Sequence, residues 1–412
     1  MTHASVPRFL PGSGARRRRA AGAVLVLTAL LAPAVPAAAQ SGGETTRVVV
    51  RLVPSSDPVA QARTATQGGG RVSKVYDSVF PGYAASVPAA DVSALKNDPA
   101  VLSVEVDGTV RATATQAPAP WGLDRMDQAA LPLSNSYTYP IAGQGVTAYV
   151  IDTGLNAGHA EFAGRVGVGT SMVADGSGTS DCNGHGTHVA GVLGGSTYGV
   201  AKGVTVVPVR VLDCAGTGKY SDLVAGIDWI IADHRAGEPA VANLSLGGPP
   251  SSTLDAAVAA LVADGVSVSV AAGNDGADAC NTSPARAPQA LTVGATDRND
   301  ARPGFSNDGP CLDVFAPGVG VPSAWFTGST ATQQLSGTSV AAPHVAGAAA
   351  VLLAQDFTLS PNQVATALTA GATPGVVTGA RAGTPDRELR LVTLPRPAAS
   401  GVDVFYALVQ RR

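Results

Sequence analysis

The sequence predicts an α/β protein with a doubly wound, mostly parallel β-sheet, preceded by a small α+β module of ferredoxin-like order. Three observations support this class. Short apolar runs alternate with helical patterns from residue 121 onward, the preceding segment has a β-α-β-β-α-β order, and the 412 residues exceed one ordinary domain. With 14% charged and 45% hydrophobic residues, the composition excludes a disordered chain and a coiled coil.

The N-terminal module is recognised by its alternation of strand and helix patterns. These patterns predict strands at residues 47–53, 72–79 and 101–106, and helices at residues 57–65 and 88–97. Three glycines at residues 68–70 end the first helix. A Thr/Ala/Pro-rich stretch at residues 112–120 then predicts an exposed, cleavable linker.

The C-terminal part contains the predicted parallel sheet. Five continuous apolar runs predict its strands, at residues 146–151, 204–211, 241–246, 266–272 and 291–295. Helical patterns occur at residues 221–234, 254–263 and 340–354. Continuous apolar strands that alternate with helices indicate a sheet buried on both faces. In such sheets the functional residues gather at the carboxyl ends of the strands.

The first forty residues predict export. Four arginines at residues 16–19 precede an apolar run at residues 20–32 and the small residues 37–39, which is the order of a signal peptide over residues 1–39. The alternative is a buried amphipathic helix. The apolar run is too short to span a bilayer, so we expect no membrane association. At the other end, residues 397–412 are expected to form a loosely attached tail.

Charge is divided unevenly along the chain. Residues 1–113 carry 12 basic and 7 acidic residues, a net of +5, whereas residues 114–412 carry 15 and 23, a net of −8. An acidic C-terminal part argues against the phosphate-neutralising surface that nucleic acids require. We therefore expect no nucleic-acid partner.

The four cysteines agree with export, because an even number in an exported chain indicates disulfides. Cys182, Cys214, Cys280 and Cys311 allow three connectivities, and the sequence alone leaves all three open. A zinc site made by Cys182, His185 and Cys214 is the competing interpretation.

Three short segments carry candidate chemistry at the expected edge of the sheet. Asp152 follows an apolar strand, His185 lies between glycines before a helix, and Ser339 lies where a loop enters a long helix with Pro343 in its first turn. A serine hydroxyl becomes a nucleophile when an imidazole takes its proton, and a carboxylate must orient that imidazole. Taken singly, Asp152 could cap a turn, His185 could be structural and Ser339 could be a helix N-cap. Their joint occurrence predicts a catalytic triad.

The segments IDTG, NGHGTHVAG and SGTSVAAPHVAG resemble the three signature segments of the subtilases, in the family's Asp–His–Ser order. Residues 114–394 are most similar to the proteinase K-like group and to aqualysin-type bacterial exoproteases. Residues 46–108 resemble the inhibitor propeptide of the same family. The resemblance implies a propeptide at residues 40–113, a subtilisin-like peptidase domain at 114–396 and cleavage near Thr113–Ala114.

The resemblance also implies a role for each matching residue. Ser339 would be the nucleophile, His185 the general base and Asp152 the orienting carboxylate. Asn274 would donate its side-chain amide to the oxyanion, although alone it could be a turn residue. The expected protein is a secreted, monomeric serine endopeptidase made as an autoprocessed precursor, whose own propeptide inhibits it.

Substrate is expected to bind as an added strand between two backbone edges, since a peptide can pair with an exposed edge regardless of its side chains. The residues expected to bind substrate are Gly216, Gly218, Tyr220, Ser245, Leu246, Gly247, Ala271, Ala272 and Gly273. Their small side chains predict a roomy pocket and a broad apolar or aromatic preference.

The resemblance further implies two disulfides and structural calcium. The implied disulfides are Cys182–Cys214 and Cys280–Cys311. One calcium site would use Asp313 with the carbonyls of Pro288 and Ala290. A second would use Asp124, Asp127 and Gln128, with Ser134 and Ser136 nearby; the alternative for these acids is a solvated helix turn. Hard oxygen ligands suit calcium.

Two other functions compete with the serine-protease hypothesis. The sequence Asp152-Thr153-Gly154 also matches the loop of an aspartic protease, but one copy occurs here and that mechanism needs two facing carboxylates. A calcium-binding, disulfide-linked scaffold without catalysis is the second alternative. Every triad position is filled, which favours the enzyme.

Overall fold

A computed structural model describes residues 45–107 and 114–394. The chain divides into two compact units, Met1–Asp107 and Gly108–Arg412. The expected signal peptide at 1–39 and the expected tail at 397–412 lie outside the described residues.

The N-terminal unit has the predicted β-α-β-β-α-β order. Its elements are β1 (Thr45–Leu52), α1 (Pro58–Gln67), β2 (Arg71–Tyr76), β3 (Gly82–Pro88), α2 (Val92–Lys96) and β4 (Val101–Val106). The strands form one antiparallel sheet in the order β2-β3-β1-β4. The helix expected at 88–97 is shorter, because strand β3 extends to Pro88 and one 3₁₀ turn precedes α2.

The C-terminal unit is an α/β domain around a nine-stranded sheet. Its elements are β5 (Ala114–Gln116), α3 (Trp121–Met126), β6 (Tyr137–Tyr139), β7 (Thr147–Asp152), β8 (Thr170–Ser171), α4 (His185–Gly194), β9 (Thr205–Arg210), α5 (Tyr220–Asp233), β10 (Ala240–Leu244), α6 (Ser252–Ala263), β11 (Ser267–Ala271), β12 (Leu291–Thr296), β13 (Val314–Pro317), β14 (Val321–Ala324), β15 (Thr332–Leu335), α7 (Thr338–Gln355), α8 (Pro361–Gly371), β16 (Thr373–Pro374) and β17 (Arg387–Glu388). The five predicted central strands and the three predicted helices are present. Strand β5 falls inside the stretch expected to be a linker.

The large sheet has the order β16-β17-β13-β12-β11-β10-β7-β9-β8, and its pairs are parallel except for β16 with β17. Strand β7 lies between β9 and β10, so the chain reverses its direction of travel through the sheet there. Such a switch point opens a crevice at the carboxyl ends of the strands. The doubly wound, mostly parallel class predicted from the sequence is confirmed.

Both faces of this sheet are covered, as continuous apolar strands require. In strand β7, Ala148 and Val150 belong to a core cluster with residues of α4, α7 and α8, whereas Tyr149 and Ile151 belong to a cluster with residues of α5 and α6 on the opposite face. Helix α7 is long and apolar enough to cross a membrane, but 89% of it is buried inside the unit. It is therefore the central core helix of the domain.

The position of Pro343 differs from the expectation. Helix α7 begins at Thr338, so Pro343 lies in its second turn and not in its first. A proline inside a helix cannot donate to the carbonyl four residues earlier, which here belongs to Ser339. The Ser245 hydroxyl donates to that carbonyl instead, at 2.6 Å. A hydrogen bond from Ser245, the residue that follows β10, thus replaces the missing helical hydrogen bond.

Candidate active site

The three predicted catalytic residues come together at the carboxyl end of the sheet. Asp152 is the last residue of β7, His185 is the first residue of α4, and Ser339 is the second residue of α7. His185 and Ser339 line one cavity of about 480 Å³, together with Asn274. The crevice at the switch point therefore brings these segments to one place.

Asp152 and His185 form a direct pair. The His185 Nδ1 lies 2.8 Å from Asp152 Oδ1 and 2.9 Å from Oδ2, and the carboxylate is fully buried. Burial of the ring lowers the pKa of His185. The charge and hydrogen bond of Asp152, together with the charge of Asp181, raise this pKa by more than burial lowers it. The net result is a pKa above its ordinary value of 6.5. The pair can thus stabilise an imidazolium while leaving Nε2 available.

Asn274 is held so that its amide nitrogen remains a donor. Its Oδ1 accepts the Thr338 N–H at 2.8 Å and the Thr338 hydroxyl at 3.0 Å. Because a backbone N–H can only donate, the atom facing it must be the oxygen, and this fixes the amide orientation. Among the hydrogen bonds of the described residues, none uses Asn274 Nδ2 or the Ser339 N–H as a donor. Both are therefore free to bind an oxyanion.

Ser339 Oγ and His185 are not hydrogen-bonded to each other in the described part of the chain, although both line the cavity. Free enzymes often show such a loose nucleophile–base contact, which tightens when substrate binds. Ser339 is half-buried and His185 retains 24% side-chain exposure, so both are accessible from the cavity.

The predicted substrate residues line two adjoining cavities. Those along the main cavity are Gly216, Gly218, Tyr220, Ser245, Leu246 and Gly247. Ala271 and Gly273 line the second cavity, of about 570 Å³, which also contains Asp275. Ala272 is different: it is fully buried and packs behind the wall with Ala279 and Phe315. The sequence analysis did not predict that Asp275, an exposed acidic residue, lies at this second cavity.

The two backbone edges of the cleft are open. No hydrogen bond of the described residues engages the backbone of Gly218, Leu246 or Gly247. Extended segments with free N–H and C=O groups are suited to pairing with a peptide strand.

The residues suggested for calcium have unsatisfied oxygen atoms. Burial raises the pKa of Asp313, against the hydrogen bond from Thr292 and the charge of Arg387. Asp313 Oδ2 accepts the Thr292 N–H, while no donor of the described residues reaches Oδ1. The backbone carbonyls of Pro288 and Ala290, also named for this site, accept no hydrogen bond there either. Asp313 makes no salt bridge with any described residue, and a set of free carboxylate and carbonyl oxygens fits a hard cation.

The second suggested site shows the same deficit of positive charge. Asp127 Oδ1 is buried without a hydrogen-bond partner, and burial is the main reason that its pKa is raised. Asp124 already accepts hydrogen bonds from Ser134 and Asn135, and Gln128 accepts one from Ser134. The orphan oxygen of Asp127 fits a cation.

Two disulfides are present, Cys182–Cys214 and Cys280–Cys311, which is the pairing that the resemblance implies. The first excludes the zinc site suggested for Cys182, His185 and Cys214, because paired sulfurs are not thiolate ligands. The Asp175 carboxylate lies near both sulfurs, but the Arg210 guanidinium binds it at 2.5 and 2.7 Å. This cluster is an ion pair beside a disulfide and not a metal site.

Comparison with known proteins identifies the family. Residues 143–389, more than half of the chain, match the Subtilase family, and residues 39–113 match peptidase inhibitor I9. The chain is a subtilase. It is 55% identical over 322 residues to an extracellular serine proteinase of Thermus sp. (strain Rt41A), which covers 78% of each chain. It is 50% identical over 317 residues to alkaline serine exoprotease A of Vibrio alginolyticus, covering 76% of this chain and 59% of that protein.

A solved structure supports the same assignment. The crystal structure of a cold adapted subtilisin-like serine proteinase aligns with a TM-score of 0.65 and 49% identity, over 68% of this subtilase and 100% of that chain. The subtilase is a serine endopeptidase with an I9-type inhibitor propeptide as its N-terminal unit. The aspartic-protease and non-catalytic alternatives are therefore wrong.

We expect the activity of the subtilase to fall on the acid side of a pKa above 6.5. The general base predicted at His185 must be neutral, so we expect activity to be complete above the His185 pKa and to be lost about tenfold per pH unit below it. The measurement is kcat/KM on a chromogenic peptide between pH 5 and pH 9. An acid limb centred at or below 6.5 would contradict the expectation.

Proposed function

We propose that this subtilase hydrolyses peptide bonds with Asp152, His185 and Ser339 as its catalytic triad and Asn274 as an oxyanion donor. One observation carries the proposal: an imidazole bonded to a buried carboxylate shares a cavity with a serine and with two unused donors, Asn274 Nδ2 and the Ser339 N–H. This set combines a base, a nucleophile and a site for negative charge.

The mechanism follows from those groups. Ser339 Oγ attacks the substrate carbonyl carbon while His185 Nε2 accepts its proton, and the buried Asp152 stabilises the imidazolium. The carbonyl oxygen becomes an oxyanion and receives hydrogen bonds from Asn274 Nδ2 and the Ser339 N–H. His185 then protonates the leaving amine. Water, deprotonated by His185, hydrolyses the acyl-enzyme and restores Ser339.

We also propose secretion, maturation and a monomeric state. The order of residues 1–39 is that of a signal peptide, and the relatives from Thermus and Vibrio are named as an extracellular proteinase and an exoprotease. The inhibitor match at residues 39–113 supports removal of residues 40–113 before the peptidase region at 114–396 becomes active. Residues 397–412 would then be a C-terminal tail.

The substrate preference is proposed from the walls of the second cavity. Gly247, Ala271 and Gly273 leave room there for a large apolar or aromatic side chain. Asp275 is exposed at this cavity and would tolerate a basic side chain as well. The preference is therefore broad, with apolar and aromatic residues first.

Calcium is proposed as a structural ion. Asp313 with the carbonyls of Pro288 and Ala290 would hold one ion, and Asp127 with Asp124 and Gln128 a second. When bound, each ion would neutralise buried carboxylate charge and tie loops together.

Replacing the nucleophile tests the proposed triad and maturation together. We expect Ser339→Ala to lower kcat on casein by about a millionfold, the size known for a subtilisin, and to leave the precursor uncleaved. Intact mass reports the processing, and circular dichroism shows that the variant folds. Casein hydrolysis at the wild-type rate by this variant would refute the proposed triad.

A peptide panel tests the pocket. We expect kcat/KM to be highest for Phe, Tyr or Leu before the scissile bond and to be about tenfold lower for Lys, because an apolar pocket wall gives about 1–3 kcal/mol of discrimination. Peptides that differ only at that position are compared at one pH. Strict selection of a basic residue would contradict the proposed preference.

Chelation tests the calcium proposal. In the Ser339→Ala background, which prevents self-digestion, we expect EGTA to lower the thermal midpoint, since calcium at 100 times its Kd would stabilise the fold by about 2.7 kcal/mol. Asp313→Asn should reduce the response to EGTA, whereas Asp356→Asn, which removes no proposed calcium ligand, should retain it. Equal midpoints with and without EGTA would argue against both sites.

A further inference from the structure

The helix that carries His185 begins without a capping side chain of its own. Its N-cap residue is Gly184, so the first backbone N–H groups need acceptors from elsewhere. Asn183 Oδ1 accepts the His185 N–H at 3.2 Å, and Thr153 Oγ1 accepts the Gly186 N–H at 2.9 Å. The Thr187 N–H is accepted by Asp181 Oδ2 at 2.9 Å.

Asp181 is the residue on which these contacts converge. Its Oδ1 accepts from the Thr153 hydroxyl at 3.0 Å, the Asn183 N–H at 3.0 Å and the Gly184 N–H at 2.8 Å. Its Oδ2 accepts from the Thr187 N–H and, at 2.6 Å, the Thr187 hydroxyl. Five donors exceed the roughly four lone pairs of a carboxylate, so Asp181 has no acceptor capacity left.

The same carboxylate reaches both halves of the catalytic pair. Thr153 follows Asp152 and donates its N–H to Asp152 Oδ1 at 2.7 Å, while its hydroxyl donates to Asp181. Thr187 lies in the first turn of α4, which begins at His185. Both threonines are fully buried, which shields their ends of these hydrogen bonds from solvent.

We propose that Asp181 is a positioning residue that fixes the end of β7 against the start of α4 and adds negative charge beside the imidazole of His185. The inference rests on the proposed triad. Asp181 does not line the substrate cavity, so its effect is on the geometry and protonation of the base and not on substrate binding.

The charged and titratable groups around His185 are few. Asp152 contacts the ring from β7, and the charge of Asp181, in the loop before α4, also raises the pKa of His185. His188, one turn along the same helix, is neutral because burial lowers its pKa to about 4. Arg210, which donates to the Thr153 carbonyl, is paired with Asp175. Asp181 is thus the second source of negative charge at the imidazole.

Two substitutions separate the charge from the hydrogen bonds. Asp181→Asn removes the charge and replaces one acceptor oxygen by an NH₂ group, which faces N–H donors at either position: Thr187, or Asn183 and Gly184. We expect the acid limb of kcat/KM to move to lower pH, because a charge that raises the His185 pKa is lost, with kcat reduced up to about 100-fold and KM nearly unchanged. Thr187→Val keeps the charge, so kcat should fall about tenfold while the limb stays in place.

A matched control is available within the chain. Asp356 holds the N–H and hydroxyl of Thr358 at 2.9 and 2.6 Å, as Asp181 holds those of Thr187, but it lies beyond the far end of α7. Asp356→Asn should change neither kcat nor the position of the acid limb in the pH profile of kcat/KM.

The outcomes distinguish the inference from the proposed function. A wild-type acid limb in Asp181→Asn, or a wild-type kcat in Thr187→Val, would overturn the role of Asp181 while Ser339→Ala remains inactive. If Asp181→Asn does not mature, the kcat and KM of Thr187→Val decide the question. Activity in Ser339→Ala would instead overturn the triad itself.

Discussion

The site depends on the fully buried carboxylate of Asp152. A carboxylate without water costs several kcal/mol unless hydrogen bonds or a counter-charge replace the lost solvation. Here the Thr153 N–H and the His185 imidazole provide that replacement. The start of α4 must therefore lie against the end of β7. Only glycine permits this approach at position 186, where a Cβ atom would lie 2.2 Å from the Gly154 carbonyl oxygen.

The parts of the fold that could be predicted are those whose residues carry a local pattern. Strands such as β7 and β10 are apolar throughout because both faces are buried, and this is visible in the sequence. Strand β3 was not placed individually, because Ala84 and Ala85 are buried without being β-branched or large. The prediction that Pro343 lies in the first turn of α7 is wrong by one turn, because the helix begins at Thr338 and not at Val340.

The site itself was only partly visible from the sequence, for a different reason. The motifs named the residues proposed to react, but most of the residues that hold them act through contacts distant in sequence. Asn274 is oriented by Thr338, 64 positions away, and the Ser339 carbonyl by Ser245, 94 positions away. Asp181 caps the chain locally, through the Asn183 and Gly184 N–H groups, but its bond to the Thr153 hydroxyl, 28 positions away, could not be read from the sequence. Ala271 lines the second cavity, whereas its neighbour Ala272 packs into the core with Ala279 and Phe315. Which of two neighbouring residues faces the cavity depends on the local backbone conformation.

The Cys182–Cys214 disulfide joins two functional segments of the peptidase. Cys182 lies three residues before His185, and Cys214 lies two residues before Gly216 at the edge of the cleft. Asn183 reinforces the link by donating to the Cys214 carbonyl. Inside a cell, glutathione keeps such thiols reduced. With the proposed export, this bond would form outside the cytoplasm, and it would then join the segment of the proposed base His185 to the cleft edge at Gly216.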